Sequence, residues 1–216
     1  MAHLKNVRNK QAHDYELIAM CYHEAGHAVI GIFNSLKVAE VKIIDDNKDL
    51  EGWTYWDNPI DLDSENVEDN NLLNLIVCNE LETLVAGITA ERIYYKDICG
   101  SEKLPRILKA GSSQDISEVS KCIKKYELAL SGPPRTVLKN KITDITKKTL
   151  LDHWDAVKAV AHELYRKRNL NFEEIKIILT KKTKTNSLWK EKYKLINIIF
   201  DDKQRSHDDI KILLSK

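Results

Sequence analysis

The run Cys21–Gly31 reads CYHEAGHAVIG and sets His23, Glu24 and His27 at the spacing H-E-x-x-H. On an α-helix, residues four apart differ by about 40° around the axis. His23 and His27 then project from one face, near enough for both imidazoles to bind one ion at about 2.0–2.1 Å. Zinc suits two neutral imidazoles and a carboxylate, with water in the fourth position. Glu24, on the adjoining face, reaches that water without ligating the metal and so has the placement of a general base. With seven histidines and sixteen glutamates in the chain, an accidental HExxH is expected about 0.02 times. The flanking LIAMCY and AVIGIF are apolar, so the helix is expected to be buried. Buried His, Glu and His must all be satisfied, and one metal ion does this for the group.

The third ligand is left open by residue chemistry. A metzincin continuation, HExxHxxGxxH, is absent, because Ile30 and Phe33 stand where its Gly and His would be. Glu80, Glu82 and Glu91 on a second helix are candidates, and so is Asp115 further along; nothing in the residue types chooses between Glu91 and Asp115. Ser112-x-x-Asp115 is also a capping-box pattern, which would use the acid at a helix start without any metal. Gly26, in mid-helix, costs up to about 1 kcal/mol relative to alanine and marks a place where something packs close.

The elements that must position these groups follow from periodicity and punctuation. A helix is expected to start after the cap at Asp14 and to run to about Asn34. KVAEVKII alternates as a half-buried strand, and EGWTYW is a partner strand. Asp57 to Asn70 is an acidic, Asn-rich loop. NLLNLIVCNELETLVAGITAERIYY reads as a buried helix. The loop KDICGSEKLPRILKAG leads to SSQDISEVSKCIKKY, a helix starting at its serines. After the break SGPPR, Thr136 to Lys167 is helical in pattern. NFEEIKIIL follows with its own Asn171–Glu174 capping box, and a last helix starts at Ser206.

Composition excludes several function classes. The chain is 43% apolar and 31% charged, with 34 basic against 33 acidic residues. That balance gives no global attraction to nucleic acid or membrane surfaces. No uninterrupted apolar run approaches the roughly 18 residues that span a bilayer, and MAHLKNVRNKQAHD lacks the apolar core of a secretory signal. The four cysteines (Cys21, Cys78, Cys99, Cys122) form no CxxC pair, which excludes a zinc ribbon and suits a cytoplasmic protein with reduced thiols. Gly26 and Gly31 have phosphate-loop spacing, but Ile32-Phe33 replace the required Lys-Ser/Thr, so no ATP site is expected. His3, His13, His153, His162 and His207 have no second ligand at metal spacing. Trp53 and Trp56 read as strand packing before groove lining.

Several motifs taken in order resemble the FtsH-type family, the peptidase domain of membrane-anchored ATP-dependent zinc proteases. YHEAGHAVIG is similar to its active-site helix. KVAEVKII and EGWTYW resemble its strand pair ending in Gly-aromatic-Thr. LVAGITAERIYY is similar to its Gly-Arg-Ala-Ala-Glu helix, and AGSSQDISEVSKCIKKY to its Gly-Ala-x-Asn-Asp helix start. LLDHWDAVKAVAHELYRKRNLNFEEIKIIL follows its C-terminal helical pattern, so the likeness covers about Tyr15 to Leu179. The resemblance implies that Asp115 is the third zinc ligand and that Glu91 orients a ligand imidazole through its other nitrogen. This chain departs from the pattern with Ile88-Thr89-Ala90 for Arg-Ala-Ala and Gln114-Asp115 for Asn-Asp. Neither the ATPase domain nor the membrane segment of that family is expected within these 216 residues.

The expectation is therefore an α+β, predominantly helical fold with a zincin-type helix, a small β-ribbon and a C-terminal helical bundle. Residues 1–14 form an extension, 15–180 the peptidase-like domain, and 181–216 a basic extension with ten basic and five acidic residues. The expected function is zinc-dependent hydrolysis of peptide bonds in unfolded proteins or peptides, with Glu24 as base and His23, His27 and Asp115 on zinc. A separate ATPase or adaptor chain is an expected partner, for which the basic extension is a docking surface. The GWTYW strand could present an edge for an extended peptide, testable by Thr54→Pro. The alternatives are an inactive remnant that binds peptides or partners, and a zinc hydrolase of non-peptide amides or esters.

Overall fold

The HEAGH segment sits in the middle of one long helix, α1 (Ala2–Phe33), in the computed structural model, which describes residues 2–46, 50–57, 70–100, 112–125 and 135–201. The helix begins well before the start expected at Asp14. The residues between include Ala, Leu, Lys, Arg and Gln and no Gly or Pro, so no breaker stops the helix and Asp14 lies within it. Its C-terminus is closed by a Schellman turn. Ser35 takes the left-handed conformation (φ 64°), its N–H donates to Ile32 O (3.0 Å), and Leu36 N–H donates to Gly31 O (2.8 Å). That turn sends the chain into the sheet.

Strands β1 (Lys37–Asp45) and β2 (Leu50–Asp57) form the expected antiparallel pair, with Val41 opposite Thr54 and a register shift between Val38 and Glu40. A third strand, β3 (Asn169–Asn171), pairs with the other side of β1, giving the order β2-β1-β3. It was not expected, and three residues are too few to show alternation. Arg168 explains it: in the left-handed conformation (φ 66°) it ends the preceding helix, and its carbonyl accepts from Ile43 N–H at 2.8 Å.

The remaining elements are helices α2 (Asn70–Cys99), α3 (Ser112–Lys125), α4 (Arg135–Asp152), α5 (Trp154–Lys167), α6 (Phe172–Lys182) and α7 (Asn186–Asp201). The protein is thus predominantly helical with a small antiparallel sheet. The helical stretch expected over Thr136–Lys167 is two helices meeting at His153. The Asn171–Glu174 capping box is present, Glu174 N–H donating to Asn171 Oδ1 at 3.0 Å and Asn171 N–H to Glu174 Oε2 at 3.1 Å. Helix α2 continues through Cys99 into what was expected to be loop, ending at Gly100 (φ 64°). The segments 58–69 and 101–111 of the two expected loops, and the helix expected from Ser206, lie outside the described residues.

The main core is built on the apolar face of α1. Cys21, Ala25, Ala28, Val29 and Ile32 pack with Val41 and Ile43 of β1, Val157, Val160 and Leu164 of α5, and Ile175 and Leu179 of α6. Trp189, Tyr193 and Ile196 of α7 belong to the same core. The boundary expected after residue 180 falls inside α6, and α7 is packed into the domain it follows. A second cluster joins Val77, Leu81, Leu84 and Val85 of α2 to Val119, Cys122 and Ile123 of α3 and Ile142 of α4. Over Leu72–Ile98, α2 is long and apolar enough to cross a bilayer, which amends the expectation that no segment has that span. In this fold its apolar surface is divided among these two clusters and a small third one, in which Tyr94 and Tyr95 meet Ala19 of α1.

Candidate metal centre

Helix α1 crosses α2 so closely that a Cβ on Gly26 would stand 2.7 Å from both Ala86 O and Ala90 Cβ. That crossing brings one turn of α1 against two turns of α2, where Thr83, Gly87 and Glu91 form a single i, i+4, i+8 row. His27 Nδ1 donates to Thr83 O at 2.7 Å, and His23 Nδ1 donates to Glu91 Oε2 at 3.1 Å. A carbonyl can only accept, and an ionised carboxylate likewise, so both imidazoles carry their proton on Nδ1 and turn a lone pair outward on Nε2.

The two Nε2 atoms lie 3.1 Å apart. Asp115 Oδ2 is 2.8 Å from His23 Nε2 and 3.3 Å from His27 Nε2. With both Nδ1 protonated, three electron pairs converge on one point, which no hydrogen bond among neutral rings accounts for. A tetrahedral ion with bonds of about 2.0–2.1 Å separates its ligand atoms by about 3.3 Å, and the observed triangle is close to that. His23, His27 and Asp115 are therefore placed so that they could hold a metal ion, and they are the one such group among the described residues. The Gly87 backbone is the floor beneath it: a Cβ there would collide with His27 Nε2 and His23 Nε2.

Asp115 reaches the histidines because α3 is held by its apolar stripe. Asp115, Val119 and Cys122 follow the i, i+4, i+7 pattern of one helix face, and Val119 and Cys122 are buried against α2 and α4. Asp115 is in the first turn of α3, as the cap pattern at Ser112 implied, and it also points into the cluster. Its side chain keeps 19% exposure, whereas His23 and His27 are each 4% exposed, so the centre opens on the α3 side.

The electrostatics favour positive charge at this point. Burial pushes the His23 pKa down, but hydrogen bonds to Asp115 and Glu91 and the charges of Glu24 and Asp115 outweigh it and lift it to about 10. Burial pushes Asp115 up, yet the imidazoles of His27 and His23 hold it well below the usual carboxylate range. Without an ion, a proton on His23 takes the place of the cation, and the two compete.

Glu24 is 3% exposed and stands outside that three-residue group. Strand β2 holds it. Thr54 Oγ1 donates to Glu24 Oε2 at 2.8 Å and lies 3.2 Å from the Glu24 carbonyl, and a Cβ on Gly52 would come within 2.7 Å of Oε1. Burial raises the Glu24 pKa, opposed by the two imidazoles and the Thr54 hydroxyl. Trp56, two residues beyond Thr54 on the same face, lays its ring 6.0 Å from that of His27 at 29°. The period of two along β2 thus lines the site with Gly52, Thr54 and Trp56, while Trp53 faces the other way and packs under Lys42.

Of the expected ligands, His23, His27 and Asp115 come together and Glu91 stands behind His23. Glu82 is instead hydrogen-bonded by Asn34 at 3.3 Å, and the pKa of Glu80 is raised by burial and by the charge of Glu118. His153 lies between Phe33 and Trp189, and His13 pairs with Asp45 at 3.0 Å. The roles of Gly52, Thr83 and Gly87 were not read from the sequence; the i, i+4, i+8 row of α2 was the one signal for the last two. No family model and no curated protein matches the chain.

Proposed function

We infer that the protein is a zinc-dependent metallopeptidase acting on unfolded polypeptides, with the zincin arrangement that its resemblance to FtsH-type peptidases implies. The observation that carries this reading is the position of Glu24: a buried carboxylate that adjoins the three-ligand cluster, takes no part in it, and is held by an outermost strand. A purely structural metal site has no use for such a group. When bound, zinc would polarise a carbonyl and lower the pKa of adjacent water.

The chain's own residues supply the rest. His23, His27 and Asp115 would hold the ion, Thr83 and Glu91 fix the two imidazoles, and Glu24 takes a proton from the attacking water on Oε1 and returns it to the amine that leaves as the C–N bond breaks. Strand β2 has β1 on one side and no strand on the other among the described residues. An extended peptide added there would receive backbone hydrogen bonds next to Glu24. Thr54→Pro is a poor test of that alignment, because it also removes the hydroxyl on Glu24. Burying a peptide's own amides against an edge, with no side-chain pocket required, fits unfolded segments better than one small amide or ester. A separate ATPase would supply unfolding for folded substrates.

The test is turnover of fluorescein-labelled β-casein by zinc-loaded protein, with Glu24→Gln as control. Cleavage by the wild type and none by the zinc-loaded control is the expected result. Equal cleavage by both, or none by a fully zinc-loaded wild type, overturns the reading.

A further inference from the structure

The contact between β2 and α1 at Glu24 is more specific than strand packing requires. Thr54 is half-buried, and its hydroxyl hydrogen has two acceptors, both on residue 24: Oε2 at 2.8 Å and the backbone carbonyl at 3.2 Å. One side chain of the strand is therefore tied to both ends of the same helical residue. Gly52, the neighbour on that face, has no Cβ where Glu24 Oε1 and Cγ lie, at 2.7 and 2.8 Å from the place it would occupy. One carboxylate oxygen is thus hydrogen-bonded, and the other lies against the Gly52 backbone with no hydrogen bond of its own among the described residues.

We propose that Thr54 is the positioning residue for Glu24, fixing its carboxylate through Oε2 so that Oε1 is presented to the reacting water. This rests on the peptidase reading and deepens it. A glutamate has three side-chain torsions, and a base free to rotate spends most of its time misaligned. A displacement near 1 Å at the reacting atom costs about 100-fold in rate. The Gly52 gap is shaped for one carboxylate orientation, and the Thr54 hydroxyl selects it. Because Thr54 shares its strand with the edge open to an extended peptide, the residue that orients the base also belongs to the element that would align the substrate.

Thr54→Val preserves shape and β-propensity while removing the hydroxyl. On labelled β-casein it is expected to lower kcat about 10- to 100-fold, leaving KM and zinc content as in the wild type. Thr54→Ser restores the hydroxyl and is expected to recover most of the lost turnover. A second readout needs no activity: in urea unfolding of the zinc-loaded protein, Thr54→Val and Glu24→Ala are expected to be non-additive. If the wild type cleaves casein and Thr54→Val matches its kcat, or the two unfolding effects simply add, this inference is overturned while the peptidase reading stands. If a zinc-loaded wild type cleaves nothing while Thr54 and Glu24 remain coupled in unfolding, the peptidase reading fails and takes the catalytic role of Thr54 with it.

Discussion

His23 Nε2 and His27 Nε2 face each other across 3.1 Å, with both Nδ1 atoms already committed as donors to Glu91 and Thr83. Two imidazole lone pairs at that distance repel unless a cation or a proton lies between them. The outer contacts thus define the chemistry of the inner ones, and they make Glu91 a test of the site that does not touch the ion.

Glu91→Ala leaves the His23 Nδ1–H buried without an acceptor and frees the ring to turn. Zinc affinity is expected to fall about 10- to 100-fold, by competition with a chromophoric chelator, while far-UV circular dichroism is unchanged. Unaltered affinity would show that the carboxylate has no part in orienting the ligand.

Gly87→Ala places a methyl group on the α2 row where both Nε2 atoms lie. Alanine is the better helix former, by up to about 1 kcal/mol, so the variant is expected to fold and to lose zinc. Zinc retained at the wild-type level would mean that the imidazoles sit elsewhere than described.

The pH response separates the ion-free from the loaded protein. The His23 pKa is raised from 6.5 to about 10 when folded, so its stabilisation is complete below pH 6.5 and is lost as pH rises toward 10. The raised pKa of buried Glu24 acts in the same direction from its ordinary 4.5 upward. Ion-free protein should therefore melt at lower temperature as pH increases over this window, while the rise in Tm on adding zinc grows, because the metal no longer competes with a proton. A Tm increment from zinc that shrinks with pH would contradict this.

Trp189 is fully buried in the core formed with α1 and α5. Trp189→Ala is expected to cost about 3–5 kcal/mol in urea unfolding. A cost within about 0.5 kcal/mol, as at an exposed position, would make α7 the separable extension that its charge suggested.

Much of the site was legible because its signals are local. HExxH reads directly as two imidazoles one turn apart, whereas Asp115 was singled out as third ligand through the family resemblance, and the face it shares with Val119 and Cys122 shows only in the fold. Glu91 and Asp115 could not be told apart by residue type, since either acid can reach a metal from a second element; the α1–α2 crossing at Gly26 brings Glu91 to Nδ1, and α3 brings Asp115 to Nε2. Thr54 and Gly52 were invisible as partners of Glu24, because a strand's register against a helix is set by tertiary packing. The place of α7 in the core was missed for a related reason: a basic composition describes the outward face, and Trp189, Tyr193 and Ile196 carry the inward one.

The most direct test of the metal centre is zinc content per chain, by atomic spectroscopy, for chelator-free wild type and for His27→Ala. The convergence of His23, His27 and Asp115 predicts about one zinc in the wild type and none in the variant. A folded wild type that neither carries zinc nor takes it up on titration would contradict the account at its base.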